Sequence, residues 1–108
     1  MNYNITTDIK MNDKETFKVI TNAMYELYVA KNHDYGNSFS NSFDRFGIVS
    51  AAVRIGDKFN RLVSLCASNA LVADESIEDT LLDLANYCIM TVIELEKRKT
   101  TINERKLN

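Results

Sequence analysis

An all-α fold is predicted by two features of this sequence: no proline anywhere in 108 residues, and apolar side chains that recur at intervals of three and four. The three glycines, Gly36, Gly47 and Gly56, leave the long periodic stretches whole. The expected architecture is a helical bundle of three long helices plus a long loop with room for one short helix. So small a chain, with exposed faces on three long helices, is expected to assemble through helix packing into a dimer or tetramer.

The first helix is expected to open at Asn12, which can cap it while Glu15 reaches back, and to run to about Lys31. Residues 1–11 then form a flexible N-terminal arm. Phe17, Ile20, Met24, Leu27 and Tyr28 recur at helical spacing and are assigned to the inner face. "KNHDYGNSFSNSFDRFG" follows, rich in Asn, Ser and Gly, and reads as a long loop with one helical turn near "NSFDRF". Its phenylalanines Phe39, Phe43 and Phe46 predict that it folds over something rather than staying disordered.

The second helix is expected over about 49–67, with Ala52, Ile55, Phe59, Leu62 and Cys66 turned into the core. Gly56 within it costs about 1 kcal/mol relative to Ala, a cost accepted where another backbone or a ligand must come close. The third helix is placed at about 75–97, capped by Asp74 or Ser76, and the polar tail 99–108 is expected to fray. The folded domain is therefore 12–98.

Composition excludes several classes of function. Thirteen Lys and Arg against 15 Asp and Glu give a net charge of −2, which offers no excess of cations to a nucleic-acid polymer. The first residues carry no apolar run like a signal peptide, and no stretch is apolar enough to span a bilayer, so a cytoplasmic protein without a membrane partner is expected. Cys66 and Cys88 are lone residues on apolar positions and read as reduced core side chains. His33 is the only histidine, so neither a His-rich metal site nor a Ser-His-Asp triad can form without it.

Charge patterning gives the candidate site. Arg54, Asp57, Lys58 and Arg61 share one face of the second helix. Glu75, Asp79 and Asp83, spaced by four, form a row along the third, continued by Asn86 and Tyr87. Asp83 lies among Leu81, Leu82, Leu84 and Ala85, and a carboxylate buried there must meet cations, donors or a metal ion. One reading is structural: a salt-bridge ladder between the two helices. The other is a cleft in which the basic row takes phosphate while Asp57, Glu75, Glu78, Asp79 and Asp83 supply oxygen ligands to Mg²⁺. "KNHDYG" adds Lys31 as a phosphate partner, Tyr35 as a flat surface for a base and Gly36 as a turn, with Asp34 beside them.

Together, "KNHDYG", "RIGDKFNRL" and "ESIEDTLLDLANY" resemble the nucleotide modification associated domain of phage and some bacterial proteins, a relative of the MazG-like all-α nucleotide pyrophosphohydrolases, over about residues 14–97. The resemblance implies a helical dimer or tetramer with nucleotide pockets between helices and subunits. "EDTLLD" matches the second acidic motif of the hydrolases through Asp79 and Asp83, with Glu78 adjacent; of the first motif only Asp57 remains, among cations. Losing acids weakens metal binding and gaining arginines strengthens direct phosphate capture. The resemblance therefore implies a sponge-like protein that captures a nucleotide or nucleotide-derived signal, such as a host defence signal, in the host cytoplasm if phage-encoded. Its ligand residues would be Lys31, Asp34, Tyr35, Gly36, Arg54, Asp57, Lys58, Arg61, Asp83 and Tyr87, with Mg²⁺ optional and no catalytic residue assigned. The alternatives are a Mg²⁺-dependent nucleotide pyrophosphohydrolase and a structural oligomer.

Overall fold

The computed structural model describes residues 3–67 and 70–107, with side chains at 3–32, 37–67 and 76–99. Among these residues the fold is all-helical and has no strand: α1 is Asp13–Phe46, α2 Ile48–Cys66 and α3 Ala70–Leu107. No helix among them is long and apolar enough to cross a membrane.

α1 opens as its sequence dictates, with Asn12 Oδ1 accepting the Glu15 backbone N–H at 2.8 Å. It closes at Gly47, whose φ of 71° is readily reached only without a Cβ, and whose N–H returns to the Phe43 carbonyl at 2.8 Å. Ser50 then donates its N–H and its hydroxyl to the Gly47 carbonyl, starting α2 one residue after α1 stops.

The expected loop is overturned. Residues 32–46 are a further helical stretch, joined end to end with the first as α1, so the division into three long helices and a loop does not hold. Burial explains the conversion: Phe39 and Phe43, one turn apart, are 2 % and 3 % exposed and join Ala51 and Met90 in the core. That packing outweighs the weak helix propensity of Asn and Ser. α3 likewise extends beyond expectation at both ends, starting before Asp74 and running past Lys97.

α2 packs chiefly on α3, while α1 touches both. The helix faces differ from expectation. On α1, Ala23 and Met24 are buried but Phe17 is 70 % exposed. On α2 the buried residue is Ala51; Ala52, Phe59 and Cys66 lie exposed, and Ile55 and Leu62 half-buried. Cys88, also assigned to the core, is exposed on α3. The reason lies in the charged stripe: its half-buried Arg54 and Lys58 find partners on α1 and α3, which draws these two inward beside Ile55 and Leu62 and leaves Ala52 and Phe59 outside, while Asp57 and Arg61 stay exposed.

Candidate functional site

The inner face of α3 carries two buried carboxylates, Asp83 and Glu94, 8 % and 4 % exposed. Eleven residues separate them, about three helical turns, so both point to the same side. Each is compensated, and the compensation differs.

Asp83 receives the Tyr3 hydroxyl on Oδ1 at 2.7 Å and the Lys58 ammonium on Oδ2 at 3.2 Å. Asn86 in turn donates to the Tyr3 oxygen at 3.0 Å, which ties the segment before α1 onto α3. The space beside these groups is about 20 Å³, walled by Leu27, Tyr28, Tyr87 and Met90, and holds roughly one water. One turn away Arg54 donates to Ser42 Oγ at 3.2 Å and lies 5.4 Å from the centre of the Phe39 ring, which stacks on Tyr87 with centroids 5.9 Å apart.

Arg54, Lys58, Asp83 and Tyr87 therefore come together, as the two rows of charge suggested. The cleft expected between α2 and α3 is not formed among the described residues: there the rows close on each other at the Lys58–Asp83 contact, beside which the space holds roughly one water. Nor is there a ladder, since among the described residues this is the one ion pair joining α2 to α3. Asp57, Arg61, Lys31 and Glu78 are exposed, and Asp79 is half-buried. The side chains of Asp34, Tyr35, Gly36 and Glu75 lie outside the described residues. Among those described, no three His, Cys, Asp or Glu converge on a point that a metal could occupy. At Asp83 both oxygens already hold a donor, one of them a cation, so the groups around it do not fit Mg²⁺.

Glu94 accepts from Ser40 Oγ at 2.8 Å, from Lys97 at 2.8 Å and from Arg98 at 3.2 Å. Burial by itself would raise its pKa, but these hydrogen bonds hold its carboxyl below the usual value. Arg98 also pairs with Asp44 and lies 4.2 Å from the centre of the Phe43 ring, so one guanidinium clamps α3 to the end of α1. Beside Glu94 a groove of about 240 Å³ opens between α1 and α3. Asn32, Asn37, Ser40, Glu94 and Lys97 make its lining mainly polar, and Tyr28, Phe39 and Ile93 add a narrow apolar edge.

Residues 31–95 match the family described as nucleotide modification associated domain 1. The chain belongs to this family. The match spans more than half of the chain and contains α2 together with the α3 face that bears both buried acids. Comparison with curated proteins and with solved structures finds no match.

In this member of the nucleotide modification associated domain 1 family, sequence reasoning missed the second acid and its groove. The signal was present: Glu94 stands between Ile93 and Leu95 at a helical repeat from Asp83, the same apolar context that marked Asp83. Ser40 was hidden by the reading of its segment as a loop. Tyr3 carries no sequence signal at all, because its partner lies 80 residues away.

Proposed function

We propose that this protein captures a nucleotide or nucleotide-derived molecule in the groove between α1 and α3 and holds it without turnover. The observation that carries the reading is the composition of that groove, which lies mostly within the family match, Tyr28 and Lys97 excepted: a largely polar lining with amides at Asn32 and Asn37 and a carboxylate one turn from an ammonium, and an apolar edge at Tyr28 and Ile93. Ligand pockets begin at about 300 Å³, so an open groove of about 240 Å³ suits a base and its sugar with the phosphates outside. Tyr28 and Ile93 give the base an apolar surface, Asn32 and Asn37 read its edge, Glu94 and Ser40 meet sugar hydroxyls, and Lys97 at the lip faces phosphate.

Holding rather than hydrolysing is supported by the chemistry of the acids. Each buried acid is already paired with a cation, Glu94 with Lys97 and Arg98 and Asp83 with Lys58, so neither offers a metal the uncompensated carboxylate charge that phosphoanhydride hydrolysis needs. Titration calorimetry with a panel of nucleoside mono-, di- and triphosphates and cyclic nucleotides tests the reading. Lys97→Ala should weaken binding at least tenfold, about 1.4 kcal/mol, when measured at a temperature where circular dichroism shows the variant folded. Absence of binding across the panel, or equal affinity of the variant, overturns the site. Release of pyrophosphate or monophosphate upon adding Mg²⁺ overturns capture without turnover.

A further inference from the structure

The segment before α1 is docked chiefly by one aromatic side chain. The Tyr3 hydroxyl donates to Asp83 Oδ1 at 2.7 Å and accepts from the Asn86 amide at 3.0 Å. Among the described residues these are the hydrogen bonds that join the segment to α3. Asn4, Thr6, Thr7, Asp8, Ile9 and Lys10 are exposed, and the backbone bonds Ile5 N–H to Tyr3 carbonyl and Met11 N–H to Asp8 carbonyl stay inside the segment.

The socket that receives Tyr3 is built without it. Leu27 and Tyr28 on α1 and Tyr87 and Met90 on α3 wall it, and these helices meet in the core, where Phe39 stacks on Tyr87 and packs with Met90. Asp83 keeps the Lys58 ammonium on its other oxygen when Tyr3 withdraws. What then stands between the helices is an apolar slot ending in one acceptor, Asp83 Oδ1, and one donor, the Asn86 amide. That pair suits a hydroxyl, or an amino group beside a ring nitrogen, on the edge of an aromatic ring. It does not suit an anion, because the acceptor is itself a carboxylate whose cation is already paired.

Beside the socket the seam opens. A groove of about 310 Å³ shares Tyr28, Asn86 and Met90 with it and continues past Met24, Tyr25 and Ile89 with an almost wholly apolar lining. Small-molecule pockets begin at about 300 Å³, so Tyr3 occupies the polar end of a site with room for a second ring.

We infer that this end of the α1–α3 seam is a binding site for a neutral aromatic molecule with a hydroxyl or amino edge, and that Tyr3 is its displaceable occupant in the free protein. The short tether formed by residues 4–12 holds the Tyr3 ring at an effective concentration on the order of millimolar, so a ligand that also fills the groove displaces it. The site differs from the groove beside Glu94 in taking an uncharged ligand, and its test uses no nucleotide.

p-Cresol, the tyrosine side chain cut free, is the probe for an emptied socket. At about 5 mM it should raise the melting temperature of Tyr3→Ala by at least about 2 °C, and that of wild type by less than half as much. Toluene, which lacks the hydroxyl, should give no such rise, and Asn86→Ala added to Tyr3→Ala should abolish it. Lys97→Ala in the same background should leave it intact, which separates this site from the nucleotide groove. Wild type labelled with 3-fluorotyrosine reads displacement directly: the fluorine resonance missing from Tyr3→Phe should move toward that of free fluorotyrosine as 2-naphthol, whose second ring can enter the groove, is added. Equal shifts with toluene and p-cresol, an equal rise in wild type, a rise that survives Asn86→Ala or is lost with Lys97→Ala, or a Tyr3 resonance unmoved by 2-naphthol would each overturn the inference.

Discussion

The two sides of α2 each mix apolar and charged residues. Its inner side carries Ala51, Ile55, Leu62 and Leu65 together with half-buried Arg54 and Lys58, while its outer side presents Val49, Val53, Phe59 and Val63, each more than half exposed, beside exposed Asp57 and Arg61. Apolar burial alone does not set the rotation of the helix. What turns it is the pairing available inside: a buried carboxylate at Asp83, a hydroxyl at Ser42 and the face of Phe39. The long stems of Arg54 and Lys58 pack along apolar neighbours while their heads reach these groups. A charged side chain goes inward where its partners are already fixed.

The strongest way to break this comparison is to remove the inner anchor. Asp83→Ala should destabilise the fold by about 3 kcal/mol, because Lys58 is left half-buried without its partner. Adding Lys58→Met to it should recover most of the loss in denaturant titrations. An Asp83→Ala variant as stable as wild type would mean that the inner face is held by its apolar contacts alone. Tyr3→Phe removes one hydrogen bond to the same carboxylate and should cost about 1 kcal/mol.

Glu94 sharpens the comparison through pH. Its carboxyl is held below the ordinary value of 4.5, so its contribution to stability is fully present above that pH and is lost as the pH falls through the lower, folded value. Melting temperatures of Glu94→Gln measured from pH 3 to 6 should therefore lack part of the acid-side decline of the wild type. Equal slopes would remove Glu94 as an acid sensor. The smallest effect belongs to the outer face: Val53→Thr should change the stability of dilute protein by no more than about 0.5 kcal/mol. A loss as large as that of Asp83→Ala would show that α2 is covered even at dilution.

The helical class was legible because it depends on local chemistry. Asn12 caps α1 wherever the rest of the chain lies, and freedom from proline leaves the hydrogen-bond ladders unbroken. The reading of residues 32–46 as loop failed because it weighed the Asn, Ser and Gly content above the spacing of Phe39 and Phe43, which is itself a helical repeat. The candidate site was half legible. Spacing put Asp83 and Lys58 on helix faces that could meet, and they do meet, at 3.2 Å. The same pattern gave no measure of the gap, so a cleft was expected where there is a closed ion pair. The open groove lies instead beside Glu94, on a wall that α1 supplies only once residues 32–46 are helical.

By itself, then, the sequence determined the all-helical character of this protein and the cap that begins α1, since each depends on residues within one or two turns. Tertiary structure alone decided which side of α2 faces inward, that Tyr3 reaches Asp83, and where open space lies between helices. Those outcomes are set by pairings between residues up to 80 positions apart, whose energies exceed local preference and leave no mark in the periodicity of any one segment.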